Sequence, residues 1–161
     1  MLTLYLLRHA KSSWDDDSKH DFERSLANRG RKAAALIGEF IHEKRMDFDL
    51  VLVSTAVRTR ETIELIEERA KFRGEIRYDE RIYEATASQL LEIIAQIDND
   101  RRNVLLVGHN PGIEELLALL TGEQQRVTTA NFAKIKIKAA KWSAGLATKG
   151  TLEWIIRPKE M

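Results

Sequence analysis

The chain has no cysteine, so neither disulfides nor thiol chemistry enter any account of it. It has only two prolines, and no Pro-, Gly- or Ser-rich stretch that would read as a linker. Long hydrophobic runs are missing too; the longest span a handful of residues, far below the roughly 20 that cross a bilayer as a helix. Neither sign of charge dominates. The 26 lysines and arginines nearly cancel the 25 aspartates and glutamates, for a net charge of +1, which leaves no electrostatic footprint for nucleic acid. Behind Met1 there is no charged leader and no cleavage-type site, only a strand-like segment. These absences predict a cytoplasmic protein with neither a membrane nor a nucleic-acid partner. No internal repeat or low-complexity tract appears. What is present, 43% apolar and 32% charged residues over 161 positions, is the profile of one globular domain spanning residues 1–161 with a sizeable core.

Periodicity supplies the elements. Residues 3–7 (TLYLL) form a short apolar run bounded by polar residues, the pattern of a buried central strand. Residues 11–25, with Asp15, Asp16 and Asp17 in a row, lack periodicity and read as a surface loop. A helix is predicted from Asn28, with Ala33, Leu36, Ile37, Phe40 and Ile41 on its apolar face. Residues 49–54 (DLVLVS) give a second buried strand, and residues 56–70 a second helix with Ile63, Ile66 and Ala70 inward. Residues 75–78 suggest a short strand. Ser88 is the expected N-cap of a third helix carrying Leu90, Leu91, Ile94 and Ile97.

Residues 103–107 are the most apolar strand. Asn110 then suits an N-cap and Pro111 the first position of a fourth helix, which runs to about Leu120 and stops near Gly122. Alternation at Phe132, Ile135 and Ile137, and again at Leu152, Trp154 and Ile156, predicts a hairpin-like pair at a sheet edge, joined through Gly145 and Gly150. Strands alternating with helices imply a three-layer α/β/α domain around a mostly parallel sheet.

Ligands of such sheets bind beyond the carboxyl ends of the strands. Three groups of polar residues fall there: Arg8 with His9, the segment from Ser54 to Arg58, and His109 with Asn110. The last two open helices, whose N-termini favour an anion. Two arginines and two histidines converging on one crevice call for a bound anion, and phosphate is the natural one. A metal is not expected, since cysteine is absent, no His-x-x-x-His spacing occurs, and the flanking arginines repel cations. His20 and His42 read as solvated. Arg126, Lys134, Lys136, Lys138, Lys141 and Lys149 have no acidic residue between them. They either steer an acidic partner or, the favoured reading, form a solvent face that discourages edge pairing.

The motifs carry a resemblance. Arg8-His9-Ala10 followed by Ser12 and Trp14 resembles the RHG-x-S-x-W motif of the histidine phosphatase superfamily, which includes cofactor-dependent phosphoglycerate mutase. Leu26, Gly30 and Ala34 resemble its helix entry. Ser54-x-x-x-Arg58-x-x-x-Thr62 is similar to its second-arginine helix, and Gly108-His109-Asn110 to its second-histidine strand end. The wording RHAKSSW and VGHNPG, with the small size, is most similar to the SixA-type phosphohistidine phosphatase branch. The resemblance covers residues 1–122.

It implies a phosphoglycerate mutase-like fold and a metal-independent phosphatase without a cofactor, in which His9 is the nucleophile and carries the phosphoryl group. Arg8, Arg58 and His109 would bind its oxygens, and Glu84 would protonate the leaving group. Ser12 would bond a phosphate oxygen or only turn the loop; Trp14 would cover the site or pack on the surface; Thr62 and Arg60 would line the pocket or serve the helix face.

Departures are Ala10 for the usual glycine, Asp15 where mutases carry an asparagine on the phosphate, and the absence of the mutase insertions. The last favours an open site and a phosphohistidine-bearing protein as substrate. The alternatives are a small phosphorylated metabolite, or a phospho-ligand binding module with negligible turnover. Oligomeric state is not legible.

Overall fold

The computed structural model describes residues 1–14 and 19–161. The apolar runs become strands and the amphipathic segments helices: β1 (Leu2–Arg8), α1 (Asn28–Glu43), β2 (Leu50–Val53), α2 (Val57–Ala70), β3 (Glu75–Tyr78), α3 (Ala87–Ala95), β4 (Asn103–Gly108), α4 (Gly112–Thr121), β5 (Phe132–Ile137) and β6 (Gly150–Ile156). They build a six-stranded sheet in the order β3-β2-β4-β1-β5-β6. The β1–β4, β2–β4 and β2–β3 pairs are parallel, while β5 runs antiparallel to both β1 and β6. Only β5 is therefore reversed, as a mostly parallel three-layer fold requires.

Alternation along β1 feeds two cores. Leu4 and Leu6 pack with Ile94 of α3 and Leu117 of α4, whereas Tyr5 and Leu7 pack with Ile37 of α1 and Ile66 of α2. Strands buried on both faces explain why β1 and β4 read as continuous apolar runs. Among the described residues no helix is long and apolar enough to cross a membrane.

Several expectations shift in detail. The buried stripe of α1 is Gly30, Ala34, Ile37, Gly38 and Ile41, while Leu36 stays 39% exposed. Small residues decide this rotation. A Cβ on Gly30 would stand 2.1 Å from the Lys11 carbonyl oxygen, and one on Gly38 would stand 3.0 Å from the Ile66 carbonyl oxygen. The helix thus presses its glycines, not its largest side chains, against neighbouring backbone.

The third helix is capped by Thr86, not Ser88: Thr86 and Gln89 exchange the two hydrogen bonds of a capping box. Pro111 takes the N-cap place expected of Asn110, although the Asn110 side-chain oxygen still accepts from the Glu114 N–H at 3.2 Å. The expected antiparallel pair does form at one edge of the sheet, with β6 outermost and β5 inside it. Lys134 pairs with Glu153 at 3.2 Å and Lys136 donates to the Thr3 hydroxyl at 3.1 Å, so these lysines line an interior strand and β6 holds the edge. The β5–β6 connection is more than a turn, because Trp142 and Leu146 within it are buried.

Gly30→Ala should cost about 2 kcal/mol or more, since backbone rather than a movable side chain blocks the new methyl. Gly145→Ala, at φ 72° with nothing within 4 Å of a Cβ, should cost only about 1 kcal/mol. Urea unfolding of both variants tests the ranking, and equal losses would refute it.

Candidate active site

The β1–β4 register pairs Arg8 with Gly108, and the His9 N–H donates to the Gly108 carbonyl at 3.1 Å. The next side chains therefore leave the sheet together, with the His9 and His109 rings 5.2 Å apart between centroids. Both are nearly buried, at 6% and 8% exposure. Arg58 comes from the second position of α2 and is buried beside them, its Nε–H 3.4 Å from His9 Nε2.

A backbone carbonyl assigns the His9 tautomer. His9 Nδ1 lies 2.7 Å from the Ala10 oxygen, which can only accept, so Nδ1 carries the proton and Nε2 keeps its lone pair. Burial pushes the His9 pKa down to about 3; the bond to Ala10 opposes this, and His109, Arg58 and Arg8 add to the fall. Burial, with Arg58 and Arg8 and against Asp21, likewise takes His109 to about 4. Both rings are neutral at neutral pH.

His109 Nε2 is 2.7 Å from the Ser54 hydroxyl. Its Nδ1 and the Nε of Arg8 are buried without a hydrogen-bond partner among the described residues, while Arg8 Nη1 donates to the Val127 carbonyl at 3.1 Å. An unpaired buried polar group costs about 1–3 kcal/mol. An acceptor-only anion would satisfy both, and would select the His109 tautomer protonated at Nδ1, with the Ser54 hydroxyl donating to Nε2.

Beside Arg58 stands a half-exposed carboxylate that the sequence did not single out. The Asp21 carboxylate accepts from the Tyr83 hydroxyl at 2.6 Å, from Arg58 Nη2 at 3.1 Å and from Arg24 Nη2 at 3.0 Å. Arg58 Nη1 also donates to the Asp21 carbonyl at 2.8 Å. Burial would raise the Asp21 pKa, but the bonds from Tyr83 and Arg24, with the charge and hydrogen bond of Arg58, hold it at about 2. Burial, and then this carboxylate, raise the Tyr83 phenol. Asp21, Arg24, Tyr83 and the Ser54 contact are the site residues missed. The only sequence signal was the acid–base spacing of Asp21 and Arg24 in an aperiodic loop.

Of the predicted residues, Arg8, His9, Arg58 and His109 come together. Ser12 is buried, and its hydroxyl accepts from Arg24 Nη1 at 2.5 Å, so in this structure it serves Arg24. Trp14 is 67% exposed and stacks on the Arg24 guanidinium, 3.5 Å from its ring centroid. Glu84 is exposed rather than shielded; it interacts with the Tyr83 phenol and shares an outer groove with Arg81 and Gln89.

Ala10 is not among the left-handed residues, so alanine replaces the family's glycine without backbone strain. Its N–H donates to Thr62 Oγ1 at 3.0 Å, and the Thr62 hydroxyl donates to the Arg58 carbonyl at 2.6 Å, which gives this threonine a bracing role behind the site. Arg60 is exposed over the Tyr78 ring, on the helix face. His20 and His42 are exposed, and Asp15 lies outside the described residues.

A three-layer sheet that delivers paired histidines from adjacent parallel strand ends defines the class: a histidine phosphatase. The chain belongs to the histidine phosphatase superfamily (branch 1), whose family model matches residues 4–90. Within it the chain is of the SixA type. It superposes with a TM-score of 0.85 on an Agrobacterium tumefaciens protein assigned as a SixA phosphohistidine phosphatase, at 29% identity over 98% of each chain. It matches the protein histidine phosphatase SixA complexed with tungstate in fold, at TM-score 0.85 and 20% identity over 99% of each chain. An uncharacterised chloroplastic protein of Arabidopsis thaliana is 31% identical over 160 residues, 94% of this chain and 73% of its own length.

Because the folded histidines titrate near 3 and 4, against about 6.5 unfolded, the unfolded chain binds protons in that interval that the folded chain refuses. Stability should fall as pH drops from about 6.5 toward 4. Asp21 adds a loss in the same direction only lower, between 3.8 and about 2. Urea unfolding from pH 7.5 to 4.5 should show this slope and its flattening in His9→Gln/His109→Gln; an unchanged slope would contradict the burial argument. Imidazole 1H–15N correlations at pH 7 should show His9 protonated at Nδ1 alone.

Proposed function

We propose that the protein is a metal-independent phosphatase that takes a phosphoryl group, carried as phosphohistidine on a protein, onto His9. The lone pair of His9 Nε2 attacks phosphorus, and the bond from phosphorus to the substrate's imidazole nitrogen breaks. The imidazole leaves with the electron pair and takes a proton from solvent. Water then attacks the phosphohistidine and gives up a proton; the Nε2–P bond breaks, its electron pair returns to His9, and phosphate departs.

Arg8, Arg58 and His109 donate to the non-bridging oxygens, where charge spreads in the transition state. Arginine suits that task because its charge is permanent and its N–H donors are fixed in one plane, so Arg58 can hold Asp21 with both terminal nitrogens while its Nε stays directed at His9. The observation that carries this reading is the tautomer of His9: its proton is tied to Ala10, its Nε2 lone pair faces only the Arg58 Nε–H at 3.4 Å, and Arg8 Nε and His109 Nδ1 are buried without a partner among the described residues.

The leaving group is argued from proton supply. Among the described residues no shielded carboxyl stands ready as an acid: Asp21 is held as an anion by Tyr83, Arg24 and Arg58, and Glu84 is exposed. An alkoxide needs a proton as it departs, whereas imidazole needs little help. That difference supports phosphohistidine over alkyl phosphomonoesters. Glu84 as proton donor belongs to the less favoured phosphomonoester reaction.

With chelator present, a phosphohistidine peptide should turn over fastest, an aryl phosphate next and an alkyl phosphate slowest. His9→Ala should fall to background, and Arg58→Ala should lose about 10²–10³ in rate with weaker vanadate inhibition. Glu84→Gln should slow phosphomonoesters only. Turnover by His9→Ala at the wild-type rate would sink the mechanism. Alkyl phosphates cleaved as fast as phosphohistidine would point to a small phosphomonoester as substrate.

A further inference from the structure

On the flank where α1 begins lies a cavity of about 620 Å³. Arg8 lines it and also acts on the His9 imidazole. Lys11, Arg29, Lys32 and Lys159 join it in the wall, and none of the described lining residues is acidic. These four cations have no salt bridge to a described residue, whereas Arg31, on the same helix, is paired with Glu61 at 3.2 Å. The carboxylate that acts on Arg8, Glu114 of α4, is itself engaged by the Val127 N–H at 2.6 Å.

Helix electrostatics sharpen the anomaly. α1 opens Asn-Arg-Gly-Arg-Lys, with no acidic residue in its first turn and no side chain capping it. Cations at that end oppose the helix dipole. All four side chains of the wall are exposed, so solvent tempers their repulsion, but together with Arg8 they give this wall one sign of charge, which draws an anion. The volume is that of a small-molecule or peptide-segment site.

From this cavity we infer a second anion subsite, which takes a carboxylate or phosphate borne by the same molecule that presents its phosphoryl group to His9. Arg8 joins the two anions, one on each side. The inference rests on the phosphatase reading and narrows its substrate class to polyanions. The chemistry has two sources: acidic side chains flanking a phosphohistidine, or a second acid group on a small phosphorylated molecule.

Binding of non-hydrolysable probes to the intact protein, read by calorimetry, separates them. One arm compares α,ω-alkane bisphosphonates of increasing length with the alkyl monophosphonates of the same length. The other compares peptides bearing a phosphonate analogue of phosphohistidine, flanked by Glu or by Gln. At least one pair should differ about tenfold in Kd, with the difference shrinking in high salt. Arg29→Glu/Lys32→Glu should abolish it, while Lys138→Glu, a charge reversal at the far end of β5, should not.

Because the double reversal places carboxylates where the helix dipole favours them, its Tm should hold or rise, so lost selectivity would not reflect unfolding. If it fails to fold, Arg29→Gln/Lys32→Gln is read in its place. Equal affinity within both pairs overturns the subsite, as does a preference that survives the double reversal. Aryl phosphate turnover is measured alongside: turnover without selectivity rejects the subsite alone, and selectivity without turnover rejects the phosphatase reading alone.

Discussion

The site depends on the parallel pairing of β1 with β4. Arg8 opposite Gly108, closed by the His9 N–H on the Gly108 carbonyl, is what sets two imidazoles side by side at the sheet's carboxyl end. A slip of one residue would turn one ring to the other face. Each face of β1 packs into its own core, Leu4 and Leu6 on one side and Tyr5 and Leu7 on the other, so that slip would exchange side chains between two differently shaped cores. Delivering two basic rings this way would be self-defeating if they charged. Burial keeps both neutral, and the arginines around them add to that effect. The cationic groups of the crevice thereby help to preserve a nucleophile rather than only receive a ligand.

Asp21 supplies the opposite charge. A buried guanidinium needs a partner, because an isolated buried charge is far more costly than a paired one. Arg58 has that partner in Asp21, which leaves its Nε directed at His9 while both terminal nitrogens are held. The same carboxylate gathers Arg24 and Tyr83, and Arg24 in turn is bonded to Ser12 and covered by Trp14. Three side chains thus converge on one carboxylate, and two more brace Arg24 behind it. The serine and tryptophan of the RHAKSSW stretch support an arginine instead of standing over the nucleophile.

How much of this was legible in the sequence follows from the range of the interactions involved. The strands, the helices and the strand-end histidines express themselves in local periodicity, so Arg8, His9, Arg58 and His109 could be placed from the pattern alone. Asp21 could not. It lies in a loop without period, and its partners Arg58 and Tyr83 are 37 and 62 residues away. The misplaced apolar face of α1 has a related cause: Leu36 is more hydrophobic than Gly30 or Gly38, but closeness to the Lys11 and Ile66 backbones outweighs side-chain size. The cap at Thr86 was hidden because Ser88 is as good a capping residue; the Gln89 exchange breaks the tie.

Those glycines also explain why residues remote from the chemistry belong to the motif. Ala10 leads the chain out of β1, and two features hold that exit: Thr62 accepts its N–H, and Gly30 lets the Lys11 carbonyl pass against α1. Since the Ala10 carbonyl fixes the His9 tautomer, a shift of this short segment would release the Nδ1 proton and free the ring to turn. Gly30 and Thr62 therefore act on the nucleophile through the backbone it is bonded to. The tolerance of alanine at position 10 fits the same logic. What the site requires there is a carbonyl in the right direction, and the segment delivers it in an ordinary conformation that does not need glycine.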